Sequence, residues 1–136
     1  MARNACPTED QEQAALMAWA QMQTAARPEL ALLHHIPNGG ARNARTGARL
    51  KAQGVKRGVP DLCLPVARGG YHGLYIELKR QHGGQVSQQQ RWWLNQLRAN
   101  GYAAQVCNGW QEARWTILRY IEGGKHDEQP VPAPGR

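Results

Sequence analysis

Two short apolar runs separated by a glycine-containing turn constrain the fold of this chain most strongly. The second run, "LYIELK" at residues 74–79, alternates with the period of a β-strand: its three aliphatic residues face one way, and Tyr75, Glu77 and Lys79 face the other. The first run, "VPDLCLPV", is a short strand that begins near Pro60, and "ARGGYHG" between the two is a turn. The pattern therefore predicts a hairpin whose second arm carries a carboxylate and an ammonium group on one face.

Helical segments flank this hairpin. Capping-box pairs, Thr8 with Gln11 and Ser87 with Gln90, predict the start of two helices, and Gly101 predicts the end of the second. In the first helix, the apolar residues assigned to the packed side are Leu16, Met17, Trp19, Ala20 and Met22. "LALLHHIP" is either a short strand or a helix end, "YAAQVC" is a strand, and "GWQEARWTILRYIE" is a final helix. The order predicts an α/β fold in which helices flank a small mixed sheet.

The predicted domain organisation is simple. We expect a flexible N-terminal arm at residues 1–7, one domain at residues 8–122, and a disordered tail at residues 123–136, where apolar residues are scarce. No apolar run approaches the length that spans a bilayer, and the N-terminus lacks the apolar core of a signal peptide, so no membrane partner is expected. The three cysteines form no C-x-x-C pair, which favours reduced thiols and a cytoplasmic location.

The charge distribution indicates a polyanionic partner. The 136 residues carry a formal net charge of +7, and between Glu29 and Glu112 the acids Asp61 and Glu77 stand among eleven Lys and Arg. The segment "NGGARNARTGARLKAQGVKRG" has no acid and is interpreted as a loop with one helical turn near residues 48–53. Its predicted nucleic-acid-binding residues are Asn38, Arg42, Arg45, Arg49, Lys51, Lys56 and Arg57.

The two isolated acids suit a hard divalent cation. An Asp at the start of one strand and a Glu on its hairpin neighbour can converge on Mg²⁺ or Mn²⁺, which prefer oxygen ligands. Glu12 shares the apolar stripe of the first helix and is predicted to add a third oxygen, and the backbone carbonyl of Ile76 a fourth. Such a cation activates water and polarises phosphate, while Lys79 holds that water or stabilises charge on the phosphate.

These residues resemble a known family. "VPD…IELK" is similar to the P-D…(D/E)-x-K signature of the restriction-endonuclease-like superfamily. A helix glutamate, "PNGG", "GVPDL", "YIELK" and "SQQQRWWLNQLRANGY" together resemble the VRR-NUC family over roughly residues 9–121. The resemblance implies an α-β-β-β-α-β core and a divalent-metal-dependent DNA endonuclease. It further implies a phage or bacterial protein that acts as a homodimer on branched DNA such as four-way junctions.

The resemblance also implies roles for single residues. Asp61 and Glu77 would be metal ligands, Lys79 the catalytic lysine, Gln90 an active-site helper, and Glu12 the helix glutamate that joins the metal site in related junction-resolving enzymes.

Other interpretations stay open from the sequence. Asp61 could cap a turn, Glu77 and Lys79 could form an exposed strand face, and Gln90 could serve only as the partner of Ser87. A non-catalytic DNA- or RNA-binding module would use the same basic segment without a divalent cation. A sequence-specific restriction enzyme would share the chemistry but would need base-reading elements that the sequence does not reveal.

Overall fold

The computed structural model describes residues 6–37 and 44–123, which contain both helices and strands. The elements are α1 (Glu9–Gln23), a 3-10 helix (Pro28–Leu32), β1 (His34–His35), α2 (Ala44–Ala52), β2 (Leu62–Leu64), β3 (Leu74–Lys79), α3 (Gln88–Ala99), β4 (Ala103–Asn108) and α4 (Trp110–Ile121). The order confirms the predicted α/β class, and "LALLHHIP" contains both a helical turn and a strand. Asn38, Arg42, residues 1–5 and residues 124–136 lie outside the described residues.

The four strands form one mixed sheet in the order β1-β2-β3-β4. β2 pairs antiparallel with both β1 and β3, and β3 pairs parallel with β4. The predicted hairpin is confirmed, with Leu62 opposite Ile76 and Leu64 opposite Leu74. Continued by one residue, this register places Asp61 opposite Glu77, so both carboxyl groups lie on the same face of the sheet.

The two faces of the sheet are covered by different helices. Aliphatic residues of β2 and β3 pack with α1 and α4 in the main core, which includes Leu16, Leu62, Ile76 and Ile117. α3 covers the other face with the fully buried Leu94. The polar face of β3 is therefore not an exposed strand surface: Glu77 is 1% exposed and Lys79 is 5% exposed.

The ends of the helices follow the local sequence signals. Both predicted capping boxes are present, at Thr8 and at Ser87, and Gly101 adopts a φ of 89° where α3 ends. α2 is longer than the single predicted turn. Assignment of Met22 to the packed side of α1 was wrong, since this side chain is 80% exposed. Met22 follows the buried Ala20 by two residues, which places it about 200° further round the helix.

Gly58 allows the segment before Asp61 to lie directly against the first turn of α3. Its φ is 88°, and a Cβ built there would lie 2.8 Å from the backbone carbon of Gln89. Gly70 has the same φ of 88°, but a Cβ there would meet nothing within 4 Å. The two glycines therefore share a backbone conformation and differ in the space around them.

We expect Gly58→Ala to destabilise the protein more than Gly70→Ala. Both substitutions force an alanine into a left-handed conformation, which costs about 1–2 kcal/mol. Gly58→Ala adds an overpacking cost of about 1–3 kcal/mol against the backbone of α3. Urea unfolding of the two variants measures the difference, and equal losses of stability would contradict the close packing at Gly58.

Candidate active site

Asp61 is fixed at the start of β2 by hydrogen bonds to both its main chain and its side chain. Its Oδ2 accepts a hydrogen bond from the Leu78 N–H at 2.7 Å. Its carbonyl oxygen accepts one from the Ile36 N–H at 2.7 Å and lies 2.9 Å from the His35 Nδ1. Because a carbonyl can only accept, the His35 Nδ1 carries the hydrogen. The Asp61 carboxylate is therefore held in one orientation beside β3.

Glu77 lies beside Asp61 in a site with little positive charge. Its Oε2 accepts a hydrogen bond from the Gln90 Nε2 at 3.1 Å and lies 3.4 Å from the Lys79 Nζ, while its buried Oε1 has no hydrogen-bond partner. Burial and the Asp61 carboxyl raise the pKa of Glu77 to about 9, although Lys79 acts in the opposite direction. Burial also raises the pKa of Asp61. The pair is therefore suited to accept a cation.

Gln90 connects the start of α3 to the acidic pair. Its Oε1 accepts hydrogen bonds from the Ser87 N–H at 2.9 Å and from the Lys79 Nζ at 2.9 Å, and its Nε2 donates to Glu77. The two roles that the sequence left open, capping partner and neighbour of the acidic site, thus coexist in one side chain. Its contribution to catalysis stays a prediction.

Glu12, a residue of α1, is buried next to the first turn of α4. Its Oε1 accepts a hydrogen bond from the Trp110 N–H at 2.9 Å, which satisfies one free N–H in the first turn of α4. Its buried Oε2 has no partner. Across residues 6–37 and 44–123, no three His, Cys, Asp or Glu side chains form a group that could hold a metal ion. The structure thus brings Asp61 and Glu77 together but does not group Glu12 with them.

The strand register favours the backbone carbonyl of Leu78 over that of Ile76 as an oxygen ligand. Ile76 lies opposite Leu62 in the ladder. The Leu78 N–H points towards Asp61, so by the alternation of an antiparallel ladder its carbonyl points to the same side. Continuing the register places Pro60 opposite Leu78, and proline has no N–H to donate. The Leu78 carbonyl therefore receives no hydrogen bond from the residue opposite it on the neighbouring strand. The sequence interpretation missed this residue.

The predicted nucleic-acid-binding residues that the structure describes are all exposed. Arg45, Arg49 and Lys51 are exposed on α2, and Lys56 and Arg57 are exposed in the segment that follows. The contact of Gly58 with Gln89 brings the end of this segment to the first turn of α3, adjacent to Gln90. Positive charge therefore continues along the chain to the edge of the acidic site.

An α/β domain that places an Asp–Glu pair and a lysine at the end of a mixed sheet has the organisation of a nuclease-type domain. Residues 4–111 match the VRR-NUC domain, and the chain belongs to this family of nucleases. It is similar to a solved structure described as a VRR_NUC domain protein, with 33% sequence identity and a TM-score of 0.76. The match covers 94% of this chain and 99% of that one.

A comparison with curated proteins found no match. Within the described ranges, no helix is long and apolar enough to cross a membrane.

We expect Glu77→Gln to stabilise the metal-free protein increasingly as the pH rises from 5 to 9. The pKa of Glu77 is about 9 in the fold against an ordinary value of 4.5. The contribution of Glu77 to the stability of the metal-free fold is thus complete below about pH 4.5 and is lost as the pH rises through 9. Glutamine does not titrate, so the variant should gain about 1–3 kcal/mol over wild type at the upper end. Urea unfolding in EDTA across this range measures the difference.

Glu29→Gln provides a control, because the pKa of Glu29 is shifted in the opposite direction to that of Glu77. A backbone hydrogen bond and the Arg68 guanidinium lower the pKa of Glu29, so its stabilisation is present above pH 4.5 and is lost as the pH falls. Glu29→Gln should therefore show no gain in stability with rising pH. A difference between Glu77→Gln and wild type that does not change with pH would contradict the charge balance described for the acidic pair.

Proposed function

We propose that this chain is a divalent-metal-dependent DNA endonuclease whose metal site is built on Asp61 and Glu77. One observation carries the proposal. The buried side-chain oxygens that lack a partner within the described residues are the Glu77 Oε1 and the Glu12 Oε2. Both belong to carboxyl groups that the sequence predicts as metal ligands. A buried carboxylate oxygen without a partner is costly when the group is ionised, so metal-free Glu77 stays protonated at neutral pH, and a bound cation would allow it to ionise.

The residues that would hold the metal supply only oxygen atoms, which suits Mg²⁺ or Mn²⁺. They are the Asp61 and Glu77 carboxylates and, in preference to that of Ile76, the Leu78 carbonyl. Glu12 would contribute through a metal-bound water, because Mg²⁺ keeps several waters and Glu12 is not grouped with the other acids. When bound, the metal polarises a phosphate oxygen and lowers the pKa of a coordinated water.

The chain's own groups supply the remaining chemistry. The Lys79 ammonium, held by Gln90 at 2.9 Å, is available to stabilise charge on the phosphate or to orient the attacking water. Gln90 fixes Lys79 and Glu77 relative to each other, and the Leu78 N–H fixes Asp61. The exposed basic residues of α2 and the following segment would bind the phosphodiester backbone.

Branched DNA, such as a four-way junction or a flap, is the proposed substrate, cut by a homodimer whose two active sites would act on two strands. Both parts of this proposal follow the resemblance to stand-alone VRR-NUC proteins. The alternative of a non-catalytic nucleic-acid-binding module has a physical difficulty. A protein that only binds nucleic acid gains nothing from two carboxylates that are buried next to each other close to a basic surface.

We expect Asp61→Asn and Lys79→Met to lose cleavage by at least about 100-fold, since each removes a group that acts on the reacting phosphate or its metal. DNA affinity should change little. End-labelled four-way junction, flap and linear duplex DNA, incubated with Mg²⁺, Mn²⁺ or EDTA, measure cleavage and rank the substrates. Light scattering measures the oligomeric state.

Glu12→Gln and Glu9→Gln form a matched pair for the helix glutamate. Glutamine keeps an oxygen for the Trp110 N–H, so Glu12→Gln tests the free carboxylate oxygen without removing the helix cap. Glu12→Gln should lower cleavage and raise the Mg²⁺ concentration needed, while the exposed Glu9→Gln should behave as wild type. Full activity of the Asp61 or Lys79 variant, or metal-independent binding without cleavage, would overturn the proposed function.

A further inference from the structure

α2 is a helix that the protein core does not use. None of its nine residues is buried, and none is acidic. It nevertheless ends in a well-formed Schellman motif: Gly54 adopts a φ of 100°, its N–H donates to the Lys51 carbonyl, and the Val55 N–H donates to the Leu50 carbonyl. The chain therefore specifies a helix at a position where packing in the core does not require one.

The two sides of α2 differ in exposure and in chemistry. The half-buried residues are Thr46, Gly47 and Leu50. The exposed residues are Ala44, Arg45, Ala48, Arg49, Lys51 and Ala52. Helical spacing places Arg45 and Arg49 one turn apart on the outer side, with the small Ala48 and Ala52 beside them. The outer surface thus combines positively charged side chains with small ones, which allows close approach to a polyanion.

We propose that α2 docks in the major groove of a duplex arm of the DNA substrate, with Arg45, Arg49 and Lys51 reaching the flanking phosphates. This inference rests on the proposed DNA substrate and names the element that would bind it. An α-helix is about 10–12 Å across, and the major groove of B-form DNA, about 12 Å wide, admits it. The major groove of A-form RNA is deep and narrow and excludes a helix. The geometry therefore favours duplex DNA over duplex RNA.

The affinity for DNA should depend on how fully α2 is helical before binding. Isolated helices shorter than about 12–15 residues are marginal in water, and α2 buries no side chain that would stabilise it. Gly47 lies inside the helix and reduces its intrinsic stability. A Cβ at Gly47 would meet nothing within 4 Å, so an alanine fits without any rearrangement. This position allows the helix to be strengthened without changing charge.

Two substitutions at adjacent positions, which change the helix propensity of α2 in opposite directions, test the proposal. Gly47→Ala raises helix propensity by about 1 kcal/mol and should tighten binding to a 20-bp DNA duplex about three- to fivefold. Ala48→Gly lowers propensity by the same amount and should weaken binding by a similar factor. The double variant Gly47→Ala/Ala48→Gly should bind like wild type. Fluorescence anisotropy in EDTA at several salt concentrations measures affinity without cleavage.

Charge and stability provide the controls. The two propensity variants should leave the salt dependence of binding unchanged, whereas Arg45→Gln/Arg49→Gln should reduce the slope of log K against log salt by about 2. Melting temperatures should stay within about 2 °C of wild type, because α2 contributes no buried side chain to the core.

Three results would overturn the inference. The first is equal DNA affinity of Gly47→Ala and Ala48→Gly. The second is a change in affinity of these two variants for an RNA duplex of matching sequence that equals their change in affinity for the DNA duplex. The third, absence of any DNA binding by the wild type, would also overturn the proposed function. Normal DNA binding and cleavage by the wild type, together with insensitivity to both helix variants, would remove only the role of α2.

Discussion

The burial of Asp61 and Glu77 side by side is the constraint on which the rest of this structure depends. Burial raises the pKa of both acids, and the neighbouring Asp61 carboxyl raises the pKa of Glu77 further, although the Lys79 ammonium group opposes both shifts. A stable fold tolerates this arrangement only when the surrounding groups hold the carboxyls firmly or when a cation completes the site. The hairpin register, the cover by α3 and the hydrogen bonds of Gln90 all serve this single requirement.

The way in which α3 begins ties helix formation to the geometry of the site. Gln90 completes the capping box with Ser87 and also bonds to Lys79 and Glu77, so the same side chain ends the loop and orders the charged groups. Gly58 allows the strand that carries Asp61 to approach this turn closely. Asp61, Glu77 and Gln90 are thus positioned by contacts between three segments that are distant in sequence.

Much of this arrangement could be predicted from local patterns. The alternation of "LYIELK" and the turn before it predict the hairpin, and the hairpin alone places Asp61 beside Glu77. The remainder depends on tertiary contacts that a local pattern does not contain. Which carbonyl lacks a ladder donor depends on Pro60 falling opposite Leu78. The hydrogen bond from the Trp110 N–H to Glu12 joins residues 98 positions apart, so no local pattern separates Glu12 from the other two acids.

Anomalous diffraction from crystals of the wild-type protein grown with Mn²⁺ would show whether Asp61 and Glu77 bind a metal ion. If Asp61 and Glu77 form a metal site, we expect one strong anomalous peak, or a close pair of peaks, within bonding distance of both carboxylates. The peak should be absent from crystals of Glu77→Gln grown in the same way. No peak near this pair at saturating Mn²⁺, whether or not Mn²⁺ binds elsewhere, would mean that Asp61 and Glu77 do not form a metal site.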